Sequence, residues 1–110
     1  GSDCFINHNA YLMDCAPITL GSHCFIGPNC GMYTAIHATI AEERNLGLEK
    51  ALPITVGDNV WMGGDVTILP GVTIGGNSII GLGDVYKRQY HYRCRKRRHK
   101  GYSFQCRCRR

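Results

Sequence analysis

The chain has 110 residues, which excludes more than one small domain, and such a domain is marginally stable unless repeats stack or subunits associate. Its formal net charge of +5 conceals a division. Residues 1–84 carry two basic and eight acidic side chains, whereas residues 85–110 carry eleven basic side chains and no acidic one. This division indicates two segments of different origin or role. Because no signal peptide or long apolar run occurs, we expect a cytoplasmic protein that has no membrane partner.

Seven cysteines are scattered along the chain and form no Cys-x-x-Cys pair. This usage is typical of reduced thiols in a cytosolic protein. The alternative is a zinc site built from Cys94, Cys106 and Cys108 with His91 or His99. Since that spacing matches no familiar zinc finger, we expect no metal.

Apolar residues recur with a period of six in the first third of the chain. One series consists of Leu20, Ile26 and Met32, and a glycine follows each of the first two. A second series reads Ile6, Leu12, Ile18, Cys24, Cys30 and Ile36. Asp14 falls where the first series requires an apolar residue, so we expect it to interrupt an inward column.

The period fails between residues 38 and 53. Continuing the first series would turn Arg44 and Lys50 inward, and the whole segment is polar. We therefore predict a loop over 38–53 that projects from the repeats. Long loops inside compact folds are usually functional or disordered. This loop directly follows His37, which favours a functional role.

The period resumes at residue 54 and continues to residue 84. Its two series are Ile54, Val60, Val66, Val72, and Val56, Met62, Ile68, Ile74, Ile80. A period of six with two inward positions describes a very short strand followed by a turn. Three such units complete one triangular coil, and stacked coils form a parallel β-helix that gains stability from its neighbours. The recurrent glycines either relieve the turns or let adjacent coils approach closely.

Residues 85–110 lack the period and are rich in Arg, Cys and Tyr. A segment of this composition cannot bury enough apolar surface to fold, so we expect it to be disordered. We also expect it not to be the native continuation of residues 1–84. The alternative is that this tail binds nucleic acid, with basic side chains on phosphates and tyrosines stacked on bases, and that the β-helix is a non-catalytic module.

Three stretches resemble the maltose and galactoside O-acetyltransferases, a family with hexapeptide repeats and a left-handed parallel β-helix. They are residues 7–14, residues 33–37 and residues 53–75, the last beginning Pro-Ile-Thr-Val-Gly-Asp-Asn-Val-Trp. The resemblance implies transfer of an acetyl group from acetyl-CoA to a hydroxyl of maltose, glucose or a galactoside. It also implies a homotrimer whose active sites lie between subunits.

The resemblance assigns roles to individual residues. His37 matches the catalytic base, a role that imidazole suits because it titrates near neutral pH. Gly64 matches the donor to the oxyanion, and Gly63, Gly81 and Leu82 accompany it in binding coenzyme A. The acceptor-binding residues are Asn7, Asp14 and Trp61.

Two departures from the family concern the ends of the chain. The family has a substantial region before the first matching stretch, and after Gly83 it continues with another hydrophobic coil that helps bind coenzyme A. Whether the 110-residue chain is itself active is therefore left open by the resemblance. A β-helix scaffold that oligomerises without catalysis is a further alternative.

Overall fold

Extended segments of two or three residues alternate with turns throughout residues 1–86, the part of the chain that the computed structural model describes. The first coil contains β1 (Phe5–Ile6), β2 (Tyr11–Met13) and β3 (Ile18–Leu20). The second begins with β4 (Phe25–Ile26) and β5 (Gly31–Tyr33), continues into an arm of β6 (Ala35–His37), α1 (Ala41–Asn45) and β7 (Glu49–Ala51), and ends with β8 (Ile54–Val56). The third contains β9 (Trp61–Met62), β10 (Thr67–Ile68) and β11 (Thr73–Ile74), and the fourth contains β12 (Ile79–Ile80) and β13 (Val85–Tyr86).

Corresponding strands of successive coils pair in parallel and build three faces. Face 1 contains β1, β4, β9 and β12, face 2 contains β2, β5, β10 and β13, and face 3 contains β3, β8 and β11. The architecture is therefore a parallel β-helix of triangular cross-section. Regular coils repeat every 18 residues, as the pairing of Trp61 with Ile79 shows. The pair Phe25 and Trp61 is separated by twice that spacing because the arm lies between them.

The interior is a set of apolar columns running through coils two to four. Its fully buried members are Cys24, Ile26, Cys30, Met32, Ile54, Val56, Val60, Met62, Val66, Ile68, Val72, Ile74 and Ile80. Both series that the six-residue period assigns to the interior from residue 54 onward are buried, and the polar Ser78, which takes the next position after Val72, is buried as well. The hydroxyl of Ser78 donates to the carbonyl of Gly75, so this buried polar group is satisfied.

The register of the first coil differs from the prediction. Ile6 and Leu12 pair with Ile26 and Met32, so they belong to the first series and not to the second. The reason is that the turn between β2 and β3 is two residues longer than in the regular coils. Asp14 lies in this longer turn and is exposed, so it does not interrupt an inward column. Ile36 also leaves the column, because it pairs with Lys50 in the arm.

The turns are made by residues in the left-handed backbone region, and most of them are not glycines. Seven residues with side chains have φ between 55° and 60° among those described: Asp3, Asn9, His23, Asn29, Asn59, Asp65 and Asn77. Asn and Asp tolerate this region because their short polar side chains can bond locally. The side chains also link coils, since the Asn9 side-chain Nδ2 donates a hydrogen bond to the Asn29 side-chain Oδ1 at 2.7 Å.

The recurrent glycines serve the approach of neighbouring coils. A Cβ added to Gly27 would lie 2.6 Å from the carbonyl carbon of Gly63 and 2.7 Å from the amide nitrogen of Gly64. Both contacts are with backbone, which cannot move aside without separating the coils. Of the two predicted reasons for these glycines, close stacking therefore applies at Gly27.

The four cysteines within residues 1–86 are free thiols. The thiols of Cys24 and Cys30 donate to the carbonyls of Gly57 and Gly63, each at 3.2 Å. Burial raises the pKa of the Cys24 thiol, because a low-dielectric interior disfavours the thiolate. Cys24 is thus an uncharged interior residue that also satisfies a turn carbonyl.

The described chain extends past residue 84, the predicted end of the β-helix. Val85 and Tyr86 pair with Thr67 and Ile68, so the first two residues of the predicted tail continue face 2. The expectations for the remaining tail, including its disorder, its nucleic-acid contacts and a zinc site, concern residues outside those described.

Replacing Gly27 with alanine tests the close approach of the coils. We expect Gly27→Ala to lower the free energy of unfolding by about 2–3 kcal/mol, because the methyl group meets backbone of the next coil. The control is Gly47→Ala in the arm, where φ is +77° but the space is open, so only about 1 kcal/mol of backbone strain is expected. Urea unfolding of both variants gives the comparison, and equal losses would contradict the stacking explanation.

Candidate active site

His37 lies on the arm that leaves the β-helix between β5 and β8. The strands β6 and β7 pair in antiparallel fashion and set His37 opposite Glu49. The imidazole Nδ1 lies 3.6 Å from the Glu49 Oε2, and the two side chains are 67% and 58% exposed. This distance makes an ion pair when the imidazole is protonated but exceeds a hydrogen bond. The carboxylate faces Nδ1, which leaves Nε2 without a hydrogen-bond partner among residues 1–86.

Sequence reasoning missed Glu49. The segment was predicted as a polar loop, and a loop sets no register between residues twelve positions apart. An antiparallel hairpin over the same segment would have paired His37 with a residue near Glu49. One sequence signal could have indicated this hairpin. Gly47 follows a short run of helix-forming residues, and a glycine in such a place is typical of a turn between two strands.

The base of the arm is fixed by a fully buried threonine. The Thr34 hydroxyl donates to the Met13 carbonyl at 2.6 Å and accepts from the Ala16 amide at 3.0 Å. The Thr34 carbonyl accepts from the Leu52 amide at 2.9 Å, where the chain returns from the arm. These three bonds join the enlarged turn of the first coil to both strands of the arm. They hold Asp14 and His37 at one corner of the β-helix, between faces 2 and 3.

Gly63, Gly64, Gly81 and Leu82 lie at the corner between faces 1 and 2. Gly63 and Gly64 follow β9, and Gly81 and Leu82 occupy the same positions one coil later. The Gly63 Cα approaches this next coil so closely that a Cβ would lie 2.9 Å from the Leu82 nitrogen. The N–H of Gly64 donates to no group of residues 1–86, whereas the N–H of Gly81 donates to the Asp84 carboxylate at 3.1 Å.

Trp61 belongs to an exposed apolar column on the outer side of face 1. The register aligns Phe5, Phe25, Trp61 and Ile79 in successive coils. The two phenylalanines and the tryptophan are each more than half exposed. Sequence reasoning identified Trp61 alone, although Phe5 and Phe25 occupy the equivalent place, directly before an inward residue.

Asn7 lies at the same corner as the glycines, in the position that Gly27 and Gly63 occupy in later coils. Its side-chain oxygen accepts from the His8 amide at 2.8 Å. Asp14 lies at the next corner, beside a shallow hollow of about 480 Å³ at the open side of the first coil. Its carboxylate makes no hydrogen bond or ion pair within the described part of the chain.

The predicted site residues therefore fall into two groups within one chain. Asn7, Trp61 and the glycines are gathered around one corner, and Asp14 and His37 around the next. One side of the triangle contains about six residues, so the two corners are separated by roughly 20 Å. A reaction that needs both groups requires a second copy of the chain or a large movement of the arm.

Residues 17–37 and 53–84 match the family model described as the hexapeptide repeat of succinyl-transferase. A relative in Saccharomyces cerevisiae assigned as an acetyltransferase is 50% identical over 88 residues, which cover 80% of this chain and 45% of that protein. The hexapeptide-repeat acetyltransferase of Vibrio cholerae, solved with acetyl coenzyme A, is 40% identical with a TM-score of 0.78 and covers 82% of this chain and 50% of that one. A galactoside acetyltransferase solved with coenzyme A is 35% identical with a TM-score of 0.71 and covers 81% and 48%.

The similarity to these proteins shows that the fold is a left-handed parallel β-helix, as predicted. The chain belongs to the hexapeptide-repeat acetyltransferase family. It spans about half the length of the relatives that it matches.

No group of three or more His, Cys, Asp or Glu side chains within residues 1–86 has the geometry of a metal site. In the same range, no helix has the length and apolar character needed to cross a bilayer.

Proposed function

We propose that the complete protein transfers an acetyl group from acetyl-CoA to a sugar hydroxyl, with His37 as the general base. The observation that carries the proposal is the pairing of His37 with Glu49 on a protruding arm. A sugar hydroxyl is a weak nucleophile until a base removes its proton during attack on the thioester carbon. The Glu49 carboxylate beside Nδ1 favours a proton on that nitrogen and leaves Nε2 to accept the proton of the sugar.

The corner between faces 1 and 2 suits the acetyl donor. Attack on the thioester produces a tetrahedral intermediate with an oxyanion, which a free backbone N–H stabilises. The unused N–H of Gly64 is such a donor. The absence of a side chain at Gly64 would let the pantetheine arm approach the backbone, and the exposed Leu82 beside it offers an apolar contact. Gly63 permits the close stacking of the two coils that form this corner.

The aromatic column and two polar side chains suit the acceptor. Trp61 and Phe25 offer ring faces to the C–H groups of a sugar. Asn7 and Asp14 supply an amide and a carboxylate for sugar hydroxyls. The sugar class is supported by the likeness to a galactoside acetyltransferase.

The division of these residues between two corners favours active sites between copies. In a homotrimer, the corner between faces 2 and 3 of one copy, which has Asp14 in its turn and His37 on its arm, would lie against the glycine corner of the next copy. A closed cyclic arrangement repeats the same contact three times and leaves no site incomplete.

Removing the base tests the proposed reaction. We expect His37→Ala to lower kcat by about 10²- to 10⁴-fold, because a general base contributes a factor of this size. The KM for acetyl-CoA should change little, because the substitution leaves the glycine corner proposed to bind the coenzyme unaltered. The release of free coenzyme A thiol in the presence of a sugar measures the rate in the full chain. His23→Asn is the control, because it removes an exposed histidine at another corner and asparagine tolerates its φ of 57°. A full rate for His37→Ala would exclude the base role and favour a non-catalytic scaffold.

The role of Glu49 is tested by a change that preserves its size. We expect Glu49→Gln to lower kcat by up to about fivefold with little change in the KM values, because an exposed ion pair of this kind contributes at most about 1 kcal/mol. Glu42→Gln, in the same arm and also exposed, is the matched control. Equal rates for the two variants would show that the imidazole needs no carboxylate partner.

A further inference from the structure

Two tyrosines form a continuous aromatic surface on the outer side of face 2. The ring centroids of Tyr11 and Tyr33 lie 5.5 Å apart, and the ring planes are inclined by 31°. Tyr11 is 53% exposed, and Tyr33 is partly exposed. Neither tyrosine belongs to the groups assigned above to the base, the acetyl donor or the acceptor.

Gly31, which lies beside both tyrosines, explains why the Tyr33 ring can lie against the sheet. Gly31 pairs with Tyr11 across the strands, and a Cβ at Gly31 would lie 2.5 Å from Cε2 and 2.8 Å from the hydroxyl oxygen of Tyr33. The outer end of the Tyr33 ring thus fills the space that a side chain would take. The Tyr33 side chain is nevertheless only partly buried, so part of its ring is available for contact from outside. Tyr11 and Tyr33 together form what we call the tyrosine platform.

A free carboxylate stands at one end of the tyrosine platform. Met13 is the cross-strand partner of Tyr33, and Asp14 follows it at the corner between faces 2 and 3. Asp14 is exposed, and no group among residues 1–86 bonds to its carboxylate. An aromatic surface with a hydrogen-bond acceptor beside it is thereby presented to the outside.

Sugar rings have the chemistry that fits this arrangement. The C–H groups of a pyranose pack on an aromatic face, while its hydroxyls donate to a carboxylate. Nucleic acid and other polyanions fit poorly, because residues 1–84 carry two basic and eight acidic side chains, and the acidic Asp14 directly follows the strand partner of Tyr33. A purely apolar partner would leave the Asp14 carboxylate without a bond and at a desolvation cost.

We propose that the tyrosine platform and Asp14 bind a pyranose of an oligosaccharide acceptor, at a distance from the hydroxyl that is acetylated. The inference rests on the proposed function and specifies its substrate class. Tyr33 precedes His37 by four residues of largely extended chain, a separation of about 13 Å, which is roughly the length of two to three linked pyranoses. A trisaccharide with one end at the His37 imidazole would therefore reach Tyr33, whereas a monosaccharide would not.

Binding is measured first, because it needs no catalysis. The full chain is titrated with two trisaccharides, maltotriose and β-1,4-galactotriose, and with the methyl glycosides of the corresponding monosaccharides. The tyrosine ring resonances are followed by NMR. We expect at least one trisaccharide to bind about tenfold more tightly than its methyl glycoside, a factor typical of aromatic contacts. Tyr33→Ala should remove this difference, and Tyr33→Phe should retain it because stacking needs the ring. Tyr11→Ala, which alters a half-exposed side chain, serves the same purpose where Tyr33→Ala does not fold.

Acetyl transfer to the same four sugars then separates the two proposals. We expect Tyr33→Ala to lower kcat/KM about tenfold for the trisaccharide through KM, with no change for the methyl glycoside. The tyrosine platform is overturned if neither trisaccharide binds preferentially, or if the preference survives both alanine variants. Trisaccharide binding that depends on Tyr33 without acetylation of any sugar would instead overturn the proposed function and leave the platform standing.

Discussion

The structure depends on the in-register stacking of its coils. Each coil must return to the same three faces, and the glycine corners let the backbones approach until no Cβ fits between Gly27 and Gly63. Extra residues can enter only where they do not disturb this register, which means at the corners. The corner between faces 2 and 3 takes both insertions, the two-residue enlargement that contains Asp14 and the arm that carries His37. The proposed base and both irregular segments therefore lie at the same corner.

Stacking also decides which residues meet. Residues far apart in sequence, such as Phe25 and Trp61, become neighbours because they hold the same position in successive coils. Residues at different corners of one chain are kept apart by the rigid side of the triangle. This rigidity is the reason for proposing that the base and the oxyanion donor come from two copies of the chain. The arm is the one described element that leaves the β-helix, so it is the element able to bridge the copies.

The sequence predicts the buried residues of the interior correctly where the period of six is unbroken. Apart from Ser78, the inward positions that follow the period in coils two to four are apolar, so the burial of Ile68 and Ile74 is predicted directly by the pattern. The sequence pattern did not predict the strand register of the first coil, because two extra turn residues shift Ile6 and Leu12 from one apolar series to the other. Glu49 was missed because neither arm strand has a buried residue or an alternation of apolar and polar residues. The ring of Tyr33 above Gly31 depends on a side-chain direction that no pattern specifies.

The central claim, that the arm of one copy and the glycine corner of another form one active site, is tested most directly by mixing two inactive variants. His37→Ala removes the base, and Gly64→Val blocks the donor to the oxyanion. The two variants are unfolded together, refolded as an equal mixture, and assayed for acetyl transfer beside each variant alone. Random assembly of a cyclic trimer combines an intact His37 with an intact Gly64 at about one quarter of the sites, so we predict about one quarter of the wild-type rate. A mixture as inactive as its components, with both variants folded and assembled, would contradict a site shared between copies.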